Sequence, residues 1–265
     1  MHGWVEQLNA EERSKRLEAL KQLYRMYLEG ELEKLPLDHE YVNNHIHTTY
    51  SFSPYSPSKA LWMAFISGLS TAGIMDHDSV GGISEFIEAG EILRMPVTVG
   101  MECRVDMSAT RLAEKRINNP DQKGIAYMAV HGIPHNCLEK VSQFIKPYQE
   151  YRNHRNREML QTLNKITAQY GMSLSFERDI EPISMSHDDG SITERHLLYA
   201  LALRMISILG RGEKLVLFLK QNLQISLNAR LEAILLDSEN AYYAYDLLGV
   251  LKSDLVQKFY IPATD

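Results

Sequence analysis

The sequence predicts an α/β protein carrying a large helical addition, and three observations lead there. Between residues 41 and 135, short β-branched or apolar runs alternate with helical patterns. After Asn136 the alternation stops and long helical patterns take over. With 265 residues and 45% hydrophobic composition, the chain can bury a core of real size. Strand, helix, strand, helix, strand is the order of right-handed βαβ units on a parallel sheet. Such sheets place ligand-binding residues at the carboxyl ends of their strands.

Each element has a local reason. From Trp4 to Lys34, Leu17, Leu20, Tyr24, Tyr27 and Leu28 recur at helical spacing, which predicts an N-terminal helical extension over 1–40. Asn9 with Glu12 forms a capping-box pattern, and Pro36 supplies a stop. Strands are expected at 41–47, 71–76, 97–104 and 125–131, with helices at 57–68 and 83–93. Ser56-Pro57 is a favourable helix start, because the hydroxyl caps and proline at the first helical position loses no needed hydrogen bond. A helical insertion is expected over 136–258, with Ser191 and Glu194 as a second capping box and Gly210 as a C-cap. Residues 259–265 read as the start of a returning strand. Four strands alone would leave a parallel sheet poorly covered, so the chain is expected to stop before its α/β part resumes.

Composition narrows the function classes. The 28 basic residues against 34 acidic ones give a net charge of −6, which disfavours extended nucleic-acid binding and leaves room for a small anionic ligand. Two cysteines, Cys103 and Cys137, cannot build a disulfide framework. No apolar run reaches bilayer length and no basic-then-apolar leader opens the chain, so a soluble, cytoplasmic protein without membrane partners is expected.

The chemistry-bearing residues gather at strand ends. His45 and His47, two apart, send both imidazoles to one face, a common way of holding a divalent transition metal. The second strand ends in Asp76-His77-Asp78 and the third in Gly100-Met101-Glu102, where period 2 sends Glu102 and Cys103 to opposite faces. The fourth ends at His131-Gly132, with His135 just beyond as an alternative. Mixed histidine and carboxylate sets at element ends are what a multi-metal hydrolytic site requires.

The runs 45–51 (His-Ile-His-Thr-Thr-Tyr-Ser), 56–57 (Ser-Pro), 75–82 (Met-Asp-His-Asp-Ser-Val-Gly-Gly) and 100–102 (Gly-Met-Glu) resemble the PHP family, the polymerase and histidinol phosphatase superfamily of metal-dependent phosphoesterases. The resemblance covers residues 41–135 and implies the first part of a distorted seven-stranded β/α barrel. It implies two to three divalent ions, manganese, iron or zinc, held by His45, His47, His77, Glu102 and His131. The implied activity is hydrolysis of a small phosphate ester or nucleotide by a metal-activated hydroxide. Asp76 and His77 would take catalytic roles, Asp76 by orienting an imidazole or moving a proton. Arg104, Arg195 and His196 would hold the phosphate.

The sequence also departs from the family. Relatives carry Ser-Asp-Gly after the paired histidines; here Ser51-Phe52-Ser53 stands instead, and Phe52 cannot coordinate. The family's late motifs have no counterpart before Asp265, so the expectation is an incomplete unit of little activity, its late ligands lying beyond this chain. In the insertion, 190–196 resembles a Gly-Arg-Pro-His segment of nucleotide-hydrolysing relatives; a plain cap before an amphipathic helix explains it equally well. His187 reads as part of a solvated acidic loop, and Arg152, Arg155 and Arg157 as a solvated helix face. The alternatives to a phosphoesterase are a non-catalytic PHP metal-binding or interaction module, and an amidohydrolase-type metal hydrolase.

Overall fold

The computed structural model describes residues 2–32, 38–119 and 122–262. The chain divides into two units, Met1–Gln149 with Ser184–Ser191, and Glu150–Ile183 with Ile192–Thr264.

In the first unit, α1 (His2–Gln7) and α2 (Arg13–Leu28) precede β1 (Asp38–Ile46), α3 (Pro57–Ile66), β2 (Leu69–His77), α4 (Ile83–Leu93), β3 (Val97–Asp106) and β4 (Ile125–His131). The N-terminal stripe is therefore two helices rather than one. Glu12 caps α2 without a side-chain bond. Asn9 instead reaches Pro54 O at 2.7 Å and accepts from the Ser56 amide at 2.9 Å, so the expected capping box yields to a tertiary contact. Ser56 does cap α3, accepting from the Lys59 amide at 3.1 Å.

The sheet order is β1-β2-β3-β4. The first three strands run parallel through crossovers made by α3 and α4. β4 is antiparallel to β3, which corrects the expected all-parallel sheet. The reason lies in the connection. Its described residues between 107 and 124 form turns instead of a helix, and the Met107 amide donates to Gly124 O at 2.7 Å, closing a broad hairpin. The architecture is thus a four-stranded partial barrel with helices.

Leu20, Leu23, Leu61, Ile74, Phe86 and Leu93 fill one face of this sheet, with Cys103 packed against them. Inside that layer a charge pair joins three elements. Arg16 Nε donates to Glu85 Oε1 at 2.9 Å, Arg16 Nη2 bonds Oε2, and the Ser58 hydroxyl donates to Oε1 at 2.7 Å.

The second unit is helical. α5 (Leu138–Thr167) enters it at Glu150, and α6 (Glu194–Leu209), α7 (Glu213–Gln221), α8 (Ala229–Leu236) and α9 (Tyr243–Phe259) follow. α6 packs on α9 around buried Leu197, Leu201, Leu247 and Leu251. Gly210 ends α6 with φ 77°, as expected. The expected strand at 259–265 does not begin at Phe259, the last residue of α9; residues 263–265 lie outside the described residues. Arg152 and Arg155 are buried, so that run is no solvated face. Among the described residues no helix is long and apolar enough to cross a membrane.

Candidate metal centre

Parallel register places His77, the last residue of β2, opposite Glu102, while β1 ends at Ile46 opposite Ile74 and β3 runs on to Asp106, so Glu102 lies within its strand and not at its end as expected. Alternation then puts Glu102 on the face away from the core, where His45 and His47 also project. Glu102 Oε2 lies 3.1 Å from His77 Nδ1, 3.5 Å from His45 Nε2 and 3.7 Å from His47 Nε2. The His47 and His77 rings stack at 4.5 Å, and those of His45 and His47 meet edge-on at 5.1 Å. The ligand atoms of His45, His47 and Glu102 all fall within 4.8 Å of one another. Histidine nitrogen and carboxylate oxygen gathered this closely form a group that could hold a divalent metal ion. His77 reaches Glu102 but falls outside that group of three.

His131 is exposed on β4 opposite Gly100, two positions back along β3 from Glu102, and is not in the group; strand reversal turned its carboxyl end the other way. His135 is exposed in a 3-10 turn. Arg104 shares the face of Glu102 and lies 5.8 Å over the Tyr127 ring, which in turn sits 5.7 Å from the ring of His77. Arg195 is exposed on the second unit. His196 is 1% exposed, its Nδ1 accepts from the Thr193 amide at 3.0 Å, and burial holds its pKa down to about 4. That imidazole completes the capping box of α6, the plain cap that the sequence offered beside an anion site for this segment.

Asp76 is buried beneath the site. Its carboxylate accepts from the Thr48 amide, the Thr48 hydroxyl and the Ser51 hydroxyl, each at 2.6 Å. Burial pushes this carboxyl above the usual range, opposed by the bonds from Ser51 and Thr48. With both oxygens engaged it is placed to orient neighbours. Phe52, which follows, takes φ 133°, a region that favours glycine and costs other residues about 1–3 kcal/mol.

A second support was not legible in the sequence. Ser184–Ser191 returns to the first unit as a strap across the turns after β1 and β2. The Ser191 amide donates to Tyr50 O at 2.7 Å and the Ser191 hydroxyl to His77 O at 2.6 Å. The Tyr50 hydroxyl bonds Asp188, and burial together with that carboxylate pushes the phenol pKa up. Ser79 donates to Asp189 O at 2.7 Å, and a Cβ at Gly81 would stand 2.4 Å from Asp188 O, so only glycine lets the strap approach. Ser191 was expected in a capping box; Thr193 and His196 form it, which frees Ser191 for His77. His187 is exposed on this strap.

No family model matches the sequence, and no curated protein matches it. Solved structures similar to it include a candidate metal-dependent phosphoesterase from Bifidobacterium adolescentis, at 18% identity and TM-score 0.49, covering 80% of this chain and 63% of that one. An amidohydrolase from Chromobacterium violaceum is similar at 17% identity and TM-score 0.47, covering 73% of this chain and 61% of that one. The chain thus spans less than two thirds of the length of either neighbour.

Proposed function

We infer that this protein is a metal-dependent hydrolase, and within that class a phosphoesterase acting on a small phosphate ester or nucleotide. One observation carries the reading: three imidazole nitrogens at the ends of two strands converge within 3.1–3.7 Å of a single carboxylate oxygen within a third strand. His45, His47 and Glu102 would hold one divalent ion, zinc, manganese or iron, and His77, whose Nδ1 lies 3.1 Å from the same Glu102 oxygen, would serve a second. A cation held there supplies Lewis acidity, lowering the pKa of water and offsetting charge on phosphoryl oxygens. Arg104, on the same face, supplies positive charge for an anionic substrate, which supports a phosphate ester over a neutral amide. Asp76 orients the loop that carries His47. Both structural neighbours bear names of hydrolases.

The test joins elemental analysis of protein purified without chelator to phosphate-ester turnover with manganese added, using a generic monoester and a generic diester. Bound metal with turnover of either ester is the expected result. Metal without turnover would favour the non-catalytic module; metal with amide turnover alone would favour the amidohydrolase chemistry. Absence of metal at every loading condition would end the reading.

A further inference from the structure

The turn after β1 is sewn to the end of β2 by a buried knot. Thr48, Ser51 and Asp76 are each at most 1% exposed, and the three donors to Asp76 all lie at 2.6 Å. On the open side of the knot, Ser51 Oγ meets His47 Nδ1 at 3.5 Å, the outer limit of a hydrogen bond.

Proton counting sets the direction of that contact. A hydroxyl has one proton to give and accepts through its lone pairs. Ser51 commits its proton to Asp76, by far the shorter contact, so toward His47 it can only accept. Nδ1 then carries the hydrogen, and a neutral imidazole protonated there keeps its lone pair on Nε2. Nε2 is the nitrogen that faces Glu102 at 3.7 Å. We propose that Ser51, anchored by Asp76, is a positioning residue that fixes His47 in the Nδ1–H tautomer and so keeps Nε2 a donor toward a cation. The purpose of this device rests on the metal-site reading; its measurement does not.

Two variants separate proton direction from charge. Ser51→Ala removes the acceptor. Asp76→Asn keeps it, because the Thr48 amide can only donate; the asparagine oxygen must therefore take the Oδ1 position and still accepts from Ser51. The asparagine amide then donates to the Thr48 hydroxyl.

The experiment is long-range proton–nitrogen correlation spectroscopy on the full chain, labelled at histidine and free of metal. It is run at about pH 8.5, two pH units above the ordinary histidine pKa. The His47 signals are assigned by their loss in His47→Gln. Wild type and Asp76→Asn should report hydrogen on Nδ1, and Ser51→Ala should move His47 toward the Nε2–H form. Zinc affinity, by competition with a chromophoric chelator, should fall about 10- to 100-fold in Ser51→Ala and return in Ser51→Thr. An Nε2–H signal in wild type overturns the proposal, as does an unchanged tautomer in Ser51→Ala. A shift in Asp76→Asn with none in Ser51→Ala also overturns it, since charge would then be the agent. Should Ser51→Ala not fold, the wild-type and Asp76→Asn spectra still decide. The expected tautomers in a protein that binds no zinc would leave the relay standing and end the metal reading; zinc bound by a Ser51→Ala protein with unaltered tautomer would do the reverse.

Discussion

The Ser191 hydroxyl donates to the main-chain carbonyl of His77 at 2.6 Å, across 114 positions of sequence. That bond and the Ser191 amide bond to Tyr50 O place one buried serine against both turns that follow the histidine-bearing strands. Ser191→Ala leaves the His77 carbonyl short of a donor and should cost about 1–3 kcal/mol of stability in urea unfolding. Zinc affinity should fall in the same variant, and Ser191→Thr should recover much of both. Unaltered zinc affinity in Ser191→Ala would show that the strap does not position the site.

His47→Ala and Glu102→Ala should each lower bound zinc at least about tenfold while far-ultraviolet circular dichroism stays unchanged, because these side chains face away from the core. His131→Ala should leave metal content as it is, since that residue lies apart from the group. Elemental analysis of the three variants checks the ligand set, and loss of metal in His131→Ala would reinstate it as a ligand.

Arg16→Ala strands the buried Glu85 carboxylate and should destabilise the first unit by about 3–5 kcal/mol. Both tryptophans, Trp4 and Trp62, lie in that unit, so fluorescence-detected urea unfolding reads it directly. The double variant Arg16→Met with Glu85→Leu should recover most of the loss, because it leaves no uncompensated buried charge.

His196 predicts acid sensitivity of the second unit. Its folded pKa of about 4 lies below the ordinary 6.5, so as pH falls the unfolded chain takes up the proton first. Stability is therefore complete above about pH 6.5 and is lost as pH falls toward 4, by an amount on the order of 3 kcal/mol. Helical circular dichroism in urea at pH 7 and pH 5 should show the decline, and His196→Gln should flatten it. An equal decline in the variant would assign the effect to other groups.

Much of the fold was legible from local pattern. Helical spacing and the Ser56-Pro57 and Gly210 signals located α3, α4 and α6, and period 2 separated Glu102 from Cys103, because side-chain direction within an element follows from backbone geometry alone. The His45–His47 spacing likewise fixed that both rings share a face. What local pattern could not supply was the partner of a polar group or the direction in which a strand returns. Asn9 and Ser191 had the residue types of helix caps, yet tertiary contacts to Pro54, Ser56 and His77 claimed them. His196 had the look of an anion ligand and was buried as a cap. β4 returned antiparallel because a turn-rich connection, rather than a helix, joins it to β3, and that reversal removed His131 from the group. Sequence thus determined which residues could bear the chemistry and on which face of their own element. Only tertiary structure decided which of them meet, because that depends on strand register and on hydrogen bonds between residues more than a hundred positions apart.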